Sequence, residues 1–368
     1  MSAEASQKNP RIFVTDCEGP ISKNDNAFEL TTKFVPDGDS FFSLISKYDD
    51  VLADVVKKPG YKAGDTLRLI LPFLKAFGAT DKKMRDFSSK NILLVPGAKD
   101  TLAFVRQLMH SFIVSTSYEQ YISSLCRLTG FPFENCYCTR LNIDKYDIGE
   151  KETKRLRELQ RELVVLPMIE IPENASSVSD FSQRDQETIR RLDEIFWQTI
   201  PKMESGRMLR EVNPVGGSEK AKAVHDIVEK LKSSFDRVMY VGDSITDVQP
   251  LRLVKESGGL SVSFNGNGYA VRESDVAVLS GDTTVTSVLA EAFSRHGKEG
   301  AVSLVEEWGP LALKKYSVSY ELRERMSVLF PDGFPWVERV TDDNLERLKR
   351  ESSVFRKTVR GEAIGKLG

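Results

Sequence analysis

Three polar side chains, Asp16, Ser115 and Asp243, each stand at or just past the end of a short apolar run, within residues 11–16, 112–115 and 237–243. Such runs, rich in β-branched and aromatic residues, read as buried strands. In open α/β sheets the site lies beyond the carboxyl ends of the strands, so these three residues would converge on one rim. One of them alone could simply cap the helix that follows its strand, because Asp and Ser are favoured there. Three from distant segments, with a lysine in addition, point instead to a common site. The chain has only three histidines, His110, His225 and His296, none in a ligand or triad pattern, so its acid–base chemistry is expected to run on carboxylates.

The elements that must hold these residues alternate. After the first strand, residues 24–92 turn helical, broken by Pro36, Gly38, Pro59, Gly60, Gly64 and Gly78. A helix opened by Val95-Pro96-Gly97 leads to the second strand, and a further helix leads to a third strand near residues 136–141. Residues 145–210 are charged helical stretches around a polar segment, PENASSVSDFSQRDQ, that reads as a loop or mobile linker. Helix 218–234 and strand 237–243 resume the rhythm, strands 260–264 and 275–279 follow, and the stretch after Gly309 reads as charged helix with PDGFPW as an internal turn. Strands separated by helices predict an α/β fold: a mostly parallel sheet in a three-layer αβα core. The expected division is a core of 11–23, 93–141 and 206–305, a helical cap of 24–92, a helical insertion of 142–205 and a C-terminal helical extension of 306–368.

Composition narrows the function. Net charge is −2 with acid and base spread along 368 residues, so the basic stripe that nucleic acid requires is missing. No window holds 18 consecutive apolar residues and the first ten residues lack an apolar core, so neither a membrane span nor a signal peptide is expected, and the cytoplasm is the expected location. The cysteines, Cys17, Cys126, Cys136 and Cys138, are too few for a disulfide framework and read as buried or edge thiols without a metal.

The strand-end residues resemble the motifs of the haloacid dehalogenase superfamily, in its phosphoserine-phosphatase-like branch. Asp16-Cys17-Glu18-Gly19-Pro20 is similar to the D-x-D-G-T motif, Ile113-Val114-Ser115-Thr116-Ser117 to the second motif, Lys220 (or Lys222 two positions on) to the motif lysine, and Gly242-Asp243-Ser244-Ile245-Thr246-Asp247 to G-D-x-x-x-D. Asn265 in SVSFNGN matches an asparagine that borders the site in that branch. A narrower resemblance is to the archaeal proteins called energy-converting hydrogenase A subunit R, which share D-C-E-G-P, N-D-N-A-F-E-L and G-D-S-I-T-D.

The resemblance implies a Mg²⁺-dependent phosphohydrolase that acts on a small-molecule phosphomonoester through an aspartyl-phosphate. Asp16 would be the nucleophile, Lys220 the charge-neutralising cation, and Ser115 and Thr116 donors to the phosphoryl oxygens. Asp16, Asp243, Asp247 and the backbone carbonyl of Glu18 would serve the Mg²⁺. Glu18 stands where phosphatases of this family carry the Asp that acts as general acid. Its extra methylene would shift that group by about 1 Å, an error of a size that can cost ~10²-fold. It therefore marks either a repositioned acid or a catalytically weak accessory subunit of the hydrogenase-associated type. Asp25 matches by position and charge a residue that reads the substrate, and would otherwise be a helix N-cap. The cap aromatics Phe41, Phe42, Tyr48, Phe73 and Phe77 are expected to form the cap's own core, and a protein partner would dock on 142–205 or on the C-terminal extension.

Overall fold

The computed structural model describes residues 10–367. Seven strands form one sheet: β1 Ile12–Thr15, β2 His110–Tyr118, β3 Cys136–Thr139, β4 Val238–Gly242, β5 Leu260–Phe264, β6 Val276–Leu279 and β7 Trp336–Arg339, in the spatial order β3-β2-β1-β4-β5-β6-β7. All neighbours run parallel except β6 and β7. The chain moves outward from β1 through β2 to β3, then returns to the other side of β1 to begin β4. The order therefore reverses beside β1, and a crevice opens between the loops after β1 and β4.

Alternation along the strands explains the three layers. Phe13, Ile113, Met239 and Val241 face one side with the helices Ala98–Leu108, Glu119–Thr129 and Thr284–Glu306. Ile12, Val14, Phe112, Val114, Val238 and Tyr240 face the other with the helices Ser218–Lys230 and Val248–Glu256. Both sides of each central strand are covered, so these strands read as continuous apolar runs. The fold class is the α/β, mostly parallel, three-layer arrangement expected from the sequence, with helical insertions.

The two helical segments outside this core share one apolar cluster. Phe41, Phe42, Tyr48 and Phe73 of the first are buried together with Leu156, Leu159, Ile195, Phe196 and Ile200 of the second. Phe196 lies 6.0 Å from the Tyr48 ring and 6.1 Å from the Phe73 ring. Polar ties accompany the apolar ones: the Tyr48 hydroxyl donates to Asp193 Oδ1 at 2.5 Å, and Arg157 Nη2 donates to the Ala76 carbonyl at 2.9 Å. Of the polar stretch read as a linker, residues 172–182 lie between the helices Glu150–Leu163 and Gln183–Asp193 and contribute Phe181 to the shared cluster, while residues 183–186 form the first turn of the second helix.

The stretch after Gly309 needs a correction: it is not helical throughout. Residues 336–339 form β7, antiparallel to β6, with Leu279 opposite Trp336 and Val276 opposite Arg339. A four-residue edge strand that carries two charges has no alternating apolar signature, and its pairing is set by the exposed edge of β6. The final long helix, Leu345–Arg360, then crosses back over the sheet and buries Leu348 against Val271 and Ala277.

Because the two helical segments share one apolar cluster, Phe196→Ala should destabilise the first segment as well as its own. The expected loss is about 3–5 kcal/mol, read as a lowered urea midpoint followed by the fluorescence of Trp197.

Candidate active site

The pairing of β1 with β4 sets Thr15 opposite Val241, and the Asp16 N–H donates to the Val241 carbonyl at 2.8 Å. The loops that follow these strands are thus held side by side. One loop carries Asp16 and Glu18, the other Asp243 and Asp247. Gly19 makes the approach possible: its φ is +114°, and a Cβ there would stand 2.1 Å from Asp243 Oδ2. Only glycine supplies both the backbone angle and the space.

Lys220 enters from the first turn of the Ser218–Lys230 helix and is fully buried. Its Nζ lies 2.7 Å from Asp16 Oδ2 and 2.8 Å from Asp247 Oδ1. Lys222 instead projects from the exposed face and pairs with Glu219 at 2.6 Å. Asp247 is saturated: Oδ1 also accepts from the Tyr240 hydroxyl at 2.7 Å, while Oδ2 accepts from the backbone N–H groups of Asp243 at 3.0 Å and Ser244 at 3.1 Å. It fixes the loop and the lysine together. Burial raises the Asp16 carboxyl to about 7, with Asp243 and Asp247 adding to the rise and Lys220 opposing it. Burial works against the charged Lys220, yet Asp16 and Asp247 outweigh it and hold the ammonium above its ordinary value. For Asp247 burial likewise opposes ionisation, but Lys220, the Asp243 N–H and the Tyr240 hydroxyl bring its pKa below the usual carboxylate value.

Asp16, Asp243 and Asp247 each place a carboxylate oxygen within 4.8 Å of the others. Asp243 Oδ1 is buried and, among the described residues, has no hydrogen-bond partner. A buried carboxylate oxygen left without a partner is costly, and an all-oxygen donor set of this kind suits a hard divalent cation such as Mg²⁺.

A cavity of about 100 Å³ lies over this cluster, lined by Asp16, Glu18, Asp25, Ser115, Thr116 and Asp243 among others. Thr116 Oγ1 is buried without a partner among the described residues, and Ser115 Oγ accepts from the Ser117 N–H at 3.2 Å. The roof comes from the first helical segment. Asp49 accepts from the Gly64 and Thr66 N–H groups, both at 2.9 Å, and so shapes a loop whose Gly64 sits close against the Thr116 and Thr246 side chains. Asp25 lines the cavity and is also the N-cap of the Asn26–Phe34 helix, accepting from Phe28 N–H at 2.9 Å. Glu18 Oε1 accepts from the Asn26 N–H of the same helix at 2.7 Å. Burial, reinforced by Asp25, raises the Glu18 carboxyl well above its ordinary value.

Asn265 stands apart from the others. Its side chain is spent on Ser280, donating to the carbonyl at 2.8 Å and accepting from the N–H at 2.9 Å, and it does not line the cavity. Two residues absent from the expectation do line it: Arg356 and Arg360 of the Leu345–Arg360 helix. Arg356 Nη1 donates to Asp243 Oδ2, and Arg360 Nη1 reaches the same oxygen at 3.1 Å. Arg360 also donates to the carbonyls of Lys23, at 3.1 Å, and Asn24, where the chain leaves the core for the first helical segment. The available signal was spacing: Leu348, Ser352, Arg356 and Arg360 recur every four residues, one face of a helix.

Lys220→Met leaves two buried carboxylates without their cation, and should lower unfolding stability by about 3–5 kcal/mol. Lys222→Ala should stay within about 0.5 kcal/mol of the parent. Burial makes native Asp16 bind its proton more tightly than the unfolded chain does. Stability from that proton is full below the unfolded value near 4 and is lost as pH rises through about 7. Removing the ammonium strengthens that preference, so the Lys220→Met deficit in metal-free buffer should be smallest at low pH and widen as pH rises.

No protein-family model matches the sequence, and no curated protein matches it. Among solved structures, a gene product of Archaeoglobus fulgidus superposes with a TM-score of 0.80 at 27% identity, over 98% of this chain and 99% of that one. A phosphoserine phosphatase described as a phospho-aspartyl intermediate analogue matches at TM-score 0.46 and 12% identity, and a substrate-bound phosphoserine phosphatase at 0.46 and 11%, each over 77% of this chain and 99% of its own. The Archaeoglobus fulgidus likeness runs through the helical segments and the C-terminal helix as well as the sheet. The chain shares the α/β fold of the Archaeoglobus fulgidus gene product, and in it three aspartates and a lysine gather where the parallel strands end.

Proposed function

We propose that the chain is a Mg²⁺-dependent phosphohydrolase that acts on a small-molecule phosphomonoester through an aspartyl-phosphate on Asp16. The observation that carries this reading is the buried Lys220 held between Asp16 and Asp247, beside an Asp243 whose Oδ1 lacks a partner among the described residues, under a cavity of about 100 Å³. A structural ion pair would not require the vacant carboxylate oxygen or the cavity.

Each residue then has a task. Asp16 Oδ attacks phosphorus, and the bond to the leaving alkoxide breaks. Glu18, whose proton is held more tightly than usual by burial and by Asp25, gives that proton to the leaving oxygen. The resulting Glu18 carboxylate takes a proton from water, which attacks the aspartyl-phosphate and releases phosphate and Asp16. Lys220 neutralises Asp16 and the phosphoryl group, and Thr116 Oγ1 and Ser115 donate to the phosphoryl oxygens. Asp16, Asp243 and the Glu18 backbone carbonyl would hold Mg²⁺, with Asp247 fixing their loop, and the ion supplies positive charge against the phosphate dianion. The longer arm of Glu18 has a use: it reaches the N-terminus of the Asn26–Phe34 helix, so the acid is anchored by the cap. In this reading residues 24–92 and 142–205 close the site together over a core of 11–23, 93–141 and 206–305, and 306–368 seals it from behind. A cavity of about 100 Å³ suits a small phosphate ester, with Asp25 facing its leaving group.

The same Glu18–Asn26 bond also favours the alternative, a catalytically weak accessory subunit whose acid is committed to the cap. One kinetic experiment separates the two. With Mg²⁺ and p-nitrophenyl phosphate, the parent should turn over and Asp16→Asn should not. Glu18→Gln should lower steady-state turnover by about 10²–10⁴-fold while still releasing one burst equivalent of p-nitrophenol, because that leaving group needs little protonation whereas water attack needs the base. Absence of Mg²⁺-dependent turnover in the parent across a panel of metabolite phosphates would favour the accessory subunit.

A further inference from the structure

Asp243 is the carboxylate of the acidic cluster on which two guanidinium groups converge. With side chains 3% and 4% exposed, they contact its Oδ2, while its Oδ1 has no hydrogen-bond partner among the described residues. The arginines are fixed by their helix. One turn earlier Ser352 donates to the Gly266 carbonyl at 2.6 Å, and one turn before that Leu348 is buried against the sheet's flank. Burying two guanidinium groups costs free energy that apolar side chains of similar size would not, so stability alone gives no reason for them here. Among the ion pairs of the cluster, the carboxylates of Asp16, Asp243 and Asp247 are met by Lys220, Arg356 and Arg360, and the set is neutral before any metal enters.

We infer that Arg356 and Arg360 are resident counter-cations of the metal centre: they hold the affinity of Asp243 for a divalent cation low until an anionic ligand binds alongside. The inference rests on the proposed metal site. A divalent ion arriving alone makes the set doubly positive; a phosphate dianion arriving with it restores neutrality. Arg356 Nε is buried and unpartnered among the described residues, and both guanidinium groups line the cavity where that anion would sit. Metal and anion therefore bind cooperatively, and the arginines act as positioning residues whose charge couples the two. Arg360, bonded at once to Asp243 and to the Lys23 and Asn24 carbonyls, passes the same charge balance to the hinge of the cap.

Calorimetric Mg²⁺ titration of the full-length protein, with and without inorganic phosphate, tests this without any turnover. The parent should bind Mg²⁺ weakly alone and more tightly with phosphate. Arg356→Gln should bind Mg²⁺ alone about tenfold more tightly, because a nearby like charge is gone, and should lose most of the gain from phosphate. Arg356→Lys, which keeps the charge, should stay near the parent, and Arg360→Gln provides a second, more peripheral variant should Arg356→Gln fail to fold. If neither glutamine variant binds Mg²⁺ more tightly than the parent while Asp243→Asn loses binding, the counter-cation role is overturned and the metal site stands. If Asp243→Asn binds Mg²⁺ as the parent does, the metal site itself falls, and the inference with it.

Discussion

A buried ammonium between two buried carboxylates is the interaction on which the remaining structure depends. Lys220 Nζ is within 2.8 Å of both Asp16 and Asp247, and all three are buried. Charges so placed persist only where geometry compensates them completely. That demand accounts for the surrounding detail. Asp247 spends its second oxygen on two backbone N–H groups, Tyr240 brings its hydroxyl to the first, and Asp16 Oδ1 accepts from Cys17 N–H at 2.6 Å. It also accounts for Gly19, since the two loops close on the lysine only if nothing larger than a hydrogen separates the chain from Asp243.

Compensation on the lysine side leaves Asp243 as the residual anion. The chain answers this from far away in sequence, by returning its last long helix with Arg356 and Arg360. The C-terminal stretch is thus part of the site's electrostatics. The second helical segment behaves similarly at the level of packing: its apolar face is consumed by the first segment, with Phe196 set between Tyr48 and Phe73, so that both bear on the loop that roofs the cavity. Rigidity of that roof comes from Asp49, a buried carboxylate that gathers the Tyr61 hydroxyl and two N–H groups around Gly64.

How much of this was legible follows from how local each signal is. Asp16, Ser115 and Asp243 were readable because a parallel strand advertises its own end: an apolar run stops and a polar residue follows. Lys220 was readable through its order among the motifs, although its neighbour Lys222 carried the same side chain two positions on. The structure separates them by helical phase, since one faces Asp16 and Asp247 at the strand ends and the other solvent. For Arg356 and Arg360 the spacing marks a shared helix face but not its burial, because a helix rich in Arg, Lys and Glu normally presents such residues to water and only a partner more than a hundred residues away turns them inward. β7 was hidden for a related reason: Trp336-Val337-Glu338-Arg339 has no periodicity of its own and becomes a strand because β6 offers an unpaired edge. Asn265 erred in the opposite direction. Its position in the motif was right, but its φ of +49° and its two bonds to Ser280 make it the residue that turns the chain after β5.

The substitution of Glu for the usual Asp in the first motif takes on a different meaning against this background. In sequence it is a longer arm and hence a positional error. In three dimensions the added reach is taken up by the Asn26 N–H, the first helical residue beyond the hinge, while Arg360 grips the hinge carbonyls from the opposite side. Glu18, like Asp25, touches both the cavity and the helix that covers it. Burial beneath that helix, reinforced by Asp25, raises the Glu18 carboxyl well above its ordinary value. The added methylene therefore ties the loop after β1 to the helix over the cavity, and the position of the carboxyl is set by both elements together.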